Sequence, residues 1–296
     1  MKRNYTPRLS AWINSTRPKT LLVSICPILL STSLSQQKDI LSLPIIIIAL
    51  LASILIQIGC NLANDYFDFK KQSDRADRKG PKRALQSGIL SENSIKNAFI
   101  TCLAIALLLS AYLMMIGGWP IILIGLSAVA CAVLYTATPY ALAYTGFSDL
   151  AAFSYFGPIA VAGTLYCQNL TWHTDAIIWG TGLGLYAVAI LTVNNLRDIK
   201  EDALSQKKTL AVRFGASFAR TEYTLCTILP LSAVLFWTLS NKPQSYLLAW
   251  APLFIISISN INNVTKRSGK ELEPYLGKTA LCLLLFTITS SILIQL

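Results

Sequence analysis

The stretch PIIIIALLASILIQIGCNLANDYFDFKK (Pro44 to Lys71) joins a long uncharged run to a short acidic segment. The uncharged part is long enough to cross the hydrocarbon core of a bilayer, which takes about 20 mostly apolar residues. An amide and two carboxylates follow it directly in NDYFD (Asn64 to Asp68), the first acidic motif. The same succession recurs in NNLRDIKED (Asn194 to Asp202), the second acidic motif. The pattern predicts membrane helices that end in polar groups on one side of the membrane.

Uncharged runs of this length occur along the whole chain. Of its 296 residues, 54% are hydrophobic and only 13% are charged, about half the charged share of a typical soluble domain. The window 97–148 is too long for one span, and GGWP (Gly117 to Pro120) predicts a turn within it. We therefore predict an all-α integral membrane protein, one domain over residues 1–296, with nine helices around a central cavity. The predicted helices are 20–37, 44–64, 96–116, 119–138, 148–167, 176–196, 222–240, 245–262 and 278–296.

The net charge of +11 would suit a nucleic-acid-binding protein, but its distribution indicates membrane orientation instead. Of the 25 Lys and Arg residues, all except Lys38 and Lys242 lie in segments that the nine helices place on one side. Basic residues concentrate on the cytoplasmic side of membrane proteins. The chain is therefore predicted to have its N-terminus inside and its C-terminus outside, with no nucleic-acid partner.

Cysteine and histidine chemistry is not expected. The seven cysteines are scattered and form no CxxC pair, which argues against a disulfide framework or a zinc site. The one histidine, His173, falls in a short outer loop, where a general base is not expected. Carboxylates are therefore the main candidates for a reactive site.

Acidic residues concentrate in two long inner loops, 64–95 and 194–220. In each loop an amide and two carboxylates are spaced three or four residues apart, so a helix would present them on one face. These residues are Asn64, Asp65 and Asp68, and Asn194, Asp198 and Asp202. The carboxylates could simply cap helix ends or pair with neighbouring Lys and Arg. Their repetition in both loops favours a site for a hard cation, above all Mg²⁺, which prefers oxygen ligands.

Basic side chains accompany both motifs. Carboxylates, Mg²⁺ and Lys or Arg side chains are together the groups that bind a diphosphate. The candidate diphosphate-binding residues are Arg78, Lys82, Arg83, Arg197, Lys207 and Lys208. Because the motifs lie where helices end, the sequence predicts a diphosphate with a long apolar tail that runs among the helices or into lipid.

An aromatic segment follows the fourth predicted helix, in LYTATPYALAYTGFSDLAAFSYFGP (Leu134 to Pro158). Aromatic faces stabilise cations, so Tyr135 and Tyr140 could shield an allylic carbocation from water. Tyrosine is also common at membrane interfaces without any catalytic role. Asp149 is an acid at a helix entrance with no nearby cation in sequence, and charges at such depth are often functional.

The two motif regions resemble those of the UbiA superfamily of membrane aromatic prenyltransferases, and in particular its menaquinone branch. The similar segments are NDYFDFKKQSDRADRKGPKRALQSG (Asn64 to Gly88), NNLRDIKEDALSQKKTLAVRFG (Asn194 to Gly215), WINSTRPKTLLVSICPILL (Trp12 to Leu30) and GFSDLAAFSYFGPIAVAGTLY (Gly146 to Tyr166). The family pattern has N-D-x-x-D after the second of nine helices and D-x-x-x-D after the sixth. The resemblance covers nearly the whole chain.

The resemblance implies Mg²⁺-dependent transfer of a polyprenyl or phytyl group from an allylic diphosphate to 1,4-dihydroxy-2-naphthoate, with loss of CO₂. It implies two Mg²⁺ ions, loops that close as a cap, and a site facing the cytoplasm of a bacterial-type inner membrane. The implied catalytic residues are Asp65, Asp68, Asp198 and Asp202, and the implied metal ligands are Asn64, Asp68, Asp74, Asn194, Asp198 and Asp202. Gln72 stands where many members have a third acid, and either Asp74 or Asp77 could replace it.

Two alternatives remain at this point. A related enzyme of the family could use 4-hydroxybenzoate, homogentisate or another naphthoate isomer as the acceptor. A transporter would be a different class, and it should carry isolated charges at mid-membrane and broken helices. The acids of this chain are instead predicted at helix ends beside loops, which favours an enzyme. The length of the prenyl donor and the oligomeric state do not follow from these residues.

Overall fold

The computed structural model describes residues 7–71, 84–137 and 141–296, and its regular structure in these ranges is helical. The α-helices are α1 (Pro7–Thr16), α2 (Leu22–Gln37), α3 (Leu43–Lys70), α4 (Glu92–Leu134), α5 (Leu142–Thr145), α6 (Ser148–Tyr155), α7 (Pro158–Asn169), α8 (Thr174–Arg197), α9 (Ile199–Leu204), α10 (Leu210–Asn241), α11 (Ala251–Val264) and α12 (Glu273–Gln295). Short 3-10 helices occupy Pro18–Thr20, Gln244–Trp250 and Gly269–Leu272. The predicted all-α class is confirmed.

Several helical stretches of the described chain are long and apolar enough to cross a membrane. There are 7 of them, or 8 if the bent pair Pro7–Thr20 and Leu22–Gln37 forms one span. This count is lower than the nine helices predicted for two reasons. The predicted helices 96–116 and 119–138 both lie mainly in α4, a single element of 43 residues, and the predicted helix 20–37 belongs to the bent pair.

Helix α4 is interrupted at Gly118, whose backbone angles (φ 64°, ψ −153°) are not helical. The two parts then pack side by side. A Cβ atom added to Gly125 would overlap the Met114 side chain and lie 4.0 Å from Ser110 Cβ. In one straight helix Met114 and Gly125 would be about 16 Å apart, at 1.5 Å per residue. The chain therefore reverses direction at the break, as GGWP predicted, and α4 is a helical hairpin.

Gly118→Ala is expected to destabilise the protein by about 1–3 kcal/mol, since this backbone region is open essentially to glycine alone. The thermal unfolding midpoint of the purified protein in detergent would measure the loss. Gly163→Ala is a matched control, because Gly163 lies inside α7 and a Cβ there would approach no atom closer than 3.4 Å, at Ile124 Cδ1. Equal midpoints for the two variants would contradict a strained turn at Gly118.

The interval between the predicted helices 176–196 and 222–240 is largely helical. It contains α9 and the start of α10, which is itself interrupted at Gly215 (φ 86°, ψ 171°). Thr209 caps α10, since its Oγ1 accepts a hydrogen bond from the Val212 backbone N–H at 3.3 Å. The second acidic motif is thus followed by ordered structure that returns the chain to the bundle.

Helix α8 lies at the centre of the bundle and packs against α6, α7, α10 and α12. Glycines permit the closest of these contacts. A Cβ atom on Gly180 would lie only 2.7 Å from Pro158 Cα, at the start of α7. Small residues let membrane helices approach closely. The end of α8, which carries the second acidic motif, is therefore fixed by neighbours on several sides.

Candidate active site

A central cavity of about 930 Å³ lies among helices α1 to α4 and α6 to α9. One stripe of α3 follows it, from Ile45 at one end to Asp65 at the other. Twenty residues of helix correspond to about 30 Å at 1.5 Å per residue. The Ile45 end is apolar, with Ala49, Ile121 and Ile124 on its walls, and the Asp65 end is polar. The cavity is therefore shaped for a long apolar molecule with a charged head.

The first acidic motif lies at the polar end because α3 continues as a helix through Lys70. Asn64 and Asp65 line the cavity, whereas Asp68 is fully buried beside it. Asp65 Oδ1 accepts a hydrogen bond from Arg17 Nη2 at 2.7 Å. Asn64 Oδ1 accepts one from Thr136 Oγ1 at 3.1 Å. The motif is thus held from two sides, by residues after α1 and after α4.

The second acidic motif faces the same polar end. Helix α8 stops at Arg197, Asp198 has angles outside the helical range (φ −98°, ψ 11°), and α9 follows. The backbone N–H groups of Asp198 and Asp202 still donate to the carbonyls four residues earlier, at 3.0 and 2.8 Å. As a result Asn194, Asp198 and Asp202 all line the cavity. The predicted single helical row is present, but with a bend at Asp198.

Lys207 joins the two motifs. Its Nζ lies 3.0 Å from Asp68 Oδ2 of the first motif and 4.0 Å from Asp202 Oδ1 of the second. The lysine side chain is 15% exposed and lines the cavity. The two acidic motifs, far apart in sequence, are thus close enough for one ammonium group to contact both.

The Arg197 side chain donates four hydrogen bonds to neighbouring side chains of the site. Its Nε and Nη2 donate to Asp198 Oδ1 and Oδ2 at 2.7 and 2.6 Å, and Nη2 also donates to Asn194 Oδ1 at 2.7 Å. Its Nη1 donates to Glu273 Oε2 at the start of α12. The guanidinium group lines the cavity, but within the described residues its hydrogen bonds go to protein groups.

Two site residues were not predicted from the sequence. Arg17, with a left-handed backbone (φ 52°), follows α1 and pairs with Asp65. Glu273 pairs with Arg197 across 76 residues of sequence. Arg17 lies within Trp12 to Leu30, one of the segments that resemble the UbiA superfamily. That resemblance could have identified Arg17 as a site residue. Nothing in the local sequence around Glu273 distinguishes it from a surface acid.

Lys71, the first residue after α3, links the ends of two helices. Its Nζ donates to the Thr136 carbonyl at 2.6 Å. Partial burial lowers the pKa of Lys71 below its usual value, the charge of Asp68 opposes this shift, and Lys207 adds to it. The lysine therefore supports the wall of the site next to Asn64.

The remaining predicted residues have different positions. Tyr135 lines the cavity. Asp149 is buried at the start of α6, where its Oδ2 accepts a hydrogen bond from Ser148 Oγ at 3.0 Å. Ser148 lines the cavity, whereas Asp149 does not. Lys208 is exposed and is not part of the wall. Outside the described residues lie Asp74, Asp77, Arg78, Lys82, Arg83 and Tyr140.

The oxygen atoms at the polar end suit Mg²⁺. The donors are carboxylates and amides from α3, α8 and α9, the ligand types that hard cations prefer. Among the described residues, no three acidic, Cys or His side chains converge tightly enough to enclose an ion. Mg²⁺ commonly keeps several waters and takes further ligands from substrate phosphates, so an open set of this kind fits it.

Residues 24–285 match the model of the UbiA prenyltransferase family. The 1,4-dihydroxy-2-naphthoate octaprenyltransferase of Escherichia coli is 32% identical over 281 residues, which is 93% of this chain and 90% of that protein. Its counterpart in Mycobacterium tuberculosis is 33% identical over 279 residues, 94% of each chain.

A solved structure shows the same fold. The UbiA homolog from Archaeoglobus fulgidus, bound to DMAPP and Mg²⁺, aligns with a TM-score of 0.68, covering 96% of this chain and 98% of that one, at 15% identity. The identity is too low to carry residue roles, so this similarity concerns the fold alone. Together with the family match and the bacterial relatives, it leads to one conclusion. This chain belongs to the UbiA prenyltransferase family.

Proposed function

We propose that this protein transfers a polyprenyl group from an allylic diphosphate to 1,4-dihydroxy-2-naphthoate, with loss of the ring carboxylate as CO₂. The observation that carries the proposal is the central cavity, which follows α3 for about 30 Å from an apolar end at Ile45 to a polar end where two acidic motifs meet at Lys207. The names of the Escherichia coli and Mycobacterium tuberculosis relatives support the naphthoate acceptor.

The diphosphate is proposed to bind at the polar end. Arg17 and Lys207 both line the cavity and are partly exposed there, so they can turn from their carboxylate partners to phosphate oxygens. Lys and Arg form strong charge-assisted hydrogen bonds with phosphate. Arg78, Lys82, Arg83 and Lys208 remain proposed as further contributors. The apolar tail would lie along α3, where the walls exclude water from the reacting carbon.

Mg²⁺ is the proposed cofactor, and two ions are proposed. Asn64, Asp65 and Asp68, with Asp74 or Asp77, would hold one ion. Asn194, Asp198 and Asp202 would hold the other. When bound, Mg²⁺ supplies positive charge that stabilises the departing pyrophosphate. Of the described donors, Asn64, Asp65, Asn194, Asp198 and Asp202 line the polar end and Asp68 is buried beside it, which supports binding without a large rearrangement of α3 or α8.

The reacting carbon is proposed to lie below the acidic motifs, where Tyr135 and Tyr155 line the cavity. Their aromatic faces can stabilise an allylic cation as the bond to the pyrophosphate breaks. The electron-rich naphthoate ring then forms the new carbon–carbon bond, and its carboxylate leaves as CO₂. Asp149, one residue from the wall at Ser148, and Tyr140 remain proposed members of this pocket.

The protein is proposed to cross a bacterial-type cytoplasmic membrane nine times. Counting the α4 hairpin as two spans and the bent pair Pro7–Thr20 and Leu22–Gln37 as one gives this number. An odd number places the termini on opposite sides, and the Lys and Arg distribution puts the N-terminus inside. The active site would then face the cytoplasm, with the segments 64–95 and 194–220 closing over it as a cap.

The acceptor is tested directly. The purified protein, in lipid vesicles with Mg²⁺ and a long-chain allylic diphosphate, would be given 1,4-dihydroxy-2-naphthoate labelled at the carboxylate. We expect a prenylated quinol product and one labelled CO₂ for each product formed. Separate reactions would contain 4-hydroxybenzoate or homogentisate. Product from either of these, with none from dihydroxynaphthoate, would overturn the proposed acceptor and keep the reaction class.

A further inference from the structure

Arg197 and Glu273 form a buried network behind the second acidic motif. The Arg197 side chain is 4% exposed, and four hydrogen bonds leave it for Asp198, Asn194 and Glu273. A guanidinium group has five N–H donors, so nearly all its donor capacity is used within the protein. A residue engaged in this way has little capacity left for a phosphate.

The network orients two oxygen ligands at once. The guanidinium contacts both carboxylate oxygens of Asp198 and the amide oxygen of Asn194. Each of these oxygens keeps a second lone pair for another partner. Asp198 lies at the bend between α8 and α9, where the backbone is not helical. A regular helix therefore does not fix the direction of its carboxylate, and another side chain has to do so. The planar, rigid fork of Arg supplies this orientation, and the flexible Lys would not.

Glu273 restores the negative charge of the motif. Arg197 alone would cancel the charge of Asp198 and weaken the attraction for a cation. Glu273 adds one negative charge, so the three side chains together remain at −1. Arg197 and Asp198 are 4% and 9% exposed, and charges in such poorly hydrated surroundings interact more strongly than in water. The Glu273 side chain is 38% exposed, which moderates its contribution.

We infer that Arg197 and Glu273 are positioning residues for the divalent cation at the second acidic motif: Arg197 aligns Asp198 and Asn194, and Glu273 keeps the site negative. This inference rests on the proposed function, since it assumes that a cation binds there. It also replaces the predicted role of Arg197 as a diphosphate ligand. Glu273 reaches the motif from α12, so the start of the last helix becomes part of the site.

The test uses Glu273→Gln, which keeps a hydrogen-bond acceptor and removes the charge. Mn²⁺ binding to the purified protein in detergent, measured by electron paramagnetic resonance without substrate, should weaken about threefold to tenfold. The Mg²⁺ concentration for half-maximal turnover should rise by a similar factor, while the KM for the diphosphate stays unchanged. Excess Mg²⁺ should restore most of the turnover. Glu271→Gln is the matched control, an exposed acid two residues earlier on Gly269–Leu272.

Arg197→Lys separates the two roles considered for Arg197. A positioning role predicts weaker Mn²⁺ binding with little change in the KM for the diphosphate. A diphosphate-binding role predicts a higher KM for the diphosphate with little change in Mn²⁺ binding, and that result would overturn the inference. Unfolding midpoints close to wild type would show that both variants are folded. If either unfolds, Glu273→Asp, which retains the charge, should bind Mn²⁺ like wild type.

The outcomes distinguish the inference from the proposed function. Wild-type protein that makes product and binds Mn²⁺, together with unaltered binding in Glu273→Gln, would overturn only the inference. Wild-type protein that binds Mn²⁺ but prenylates no aromatic acceptor would overturn only the proposed function. Wild-type protein that binds no Mn²⁺ would overturn the inference and the proposed metal site together.

Discussion

Replacing Asp68 or Asp198 by Asn is expected to lower kcat/KM for prenyl transfer by at least about 10³-fold, equivalent to about 4 kcal/mol of transition-state stabilisation. Asn has nearly the same shape and retains one oxygen acceptor, but it lacks the charge that attracts Mg²⁺. The Asp68 side chain is fully buried and the Asp198 side chain is only 9% exposed, so water cannot replace the lost carboxylate. Product formation in vesicles at saturating Mg²⁺ would measure the loss.

The control for both variants is Glu92→Gln. Glu92 Oε1 pairs with Lys70 Nζ at 2.6 Å next to the end of α3, but the Lys70 and Glu92 side chains are 51% and 36% exposed and neither lines the cavity. Exposed ion pairs contribute about 0–1 kcal/mol, so this variant should retain nearly normal turnover. Both Asp variants must also be shown to insert and to elute as folded protein in detergent. Folded protein with near-normal turnover in either Asp variant would refute the assignment of that residue as a metal ligand.

Ala49→Phe is expected to select against long prenyl donors. Ala49 lies on the cavity wall about 24 Å along α3 from Asp65, at 1.5 Å per residue. Overpacking a buried site by a large side chain costs about 1–3 kcal/mol, so kcat/KM for an octaprenyl donor should fall about 5- to 150-fold. Geranyl diphosphate is too short to reach this depth, and its kcat/KM should stay close to wild type. Competition between the two donors in one reaction would measure the change.

Leu51→Phe is the matched control for Ala49→Phe. Leu51 lies on the same helix but is 46% exposed on its outer surface, so the added ring would meet lipid and not the cavity. No donor should be affected. If Ala49→Phe also leaves the octaprenyl donor unaffected, the tail leaves the cavity toward lipid before it reaches Ala49. Equal losses for both donors would instead indicate a general packing defect.

The helices of this protein could be predicted from the sequence because the signal is local. In lipid, the backbone N–H and C=O groups of an uncharged run such as 44–64 can hydrogen-bond only to each other. The run therefore forms a helix whichever neighbours it packs against. The turn at Gly117 to Pro120 was predicted because the uncharged window 97–148 is too long for one span, and the structure shows the break at Gly118. The loop predicted between the helices 176–196 and 222–240 was less accurate, since a helix of 6 residues such as α9 is too short to give a clear pattern.

The candidate site could be predicted only in part. The helical spacing of Asn64 and Asp68 indicated one face of a helix, and α3 does continue through both. The pairing of Asp65 with Arg17, 48 residues away, could not be inferred from spacing. Arg197 was predicted as a diphosphate ligand because of its charge and position. In the structure its guanidinium is bonded to Asp198, Asn194 and Glu273.

The membrane class, the helices and the oxygen-bearing residues at their ends follow from the sequence, because hydrophobicity and helical periodicity act over neighbouring residues. Which charges meet depends on the tertiary structure. Lys207 contacts Asp68 across 139 residues of sequence, and Glu273 contacts Arg197 across 76. Such pairs depend on how whole helices pack, and small residues such as Gly180 set that packing through the closeness of their contacts. The elements of the site follow from local chemistry, and its geometry follows from the bundle.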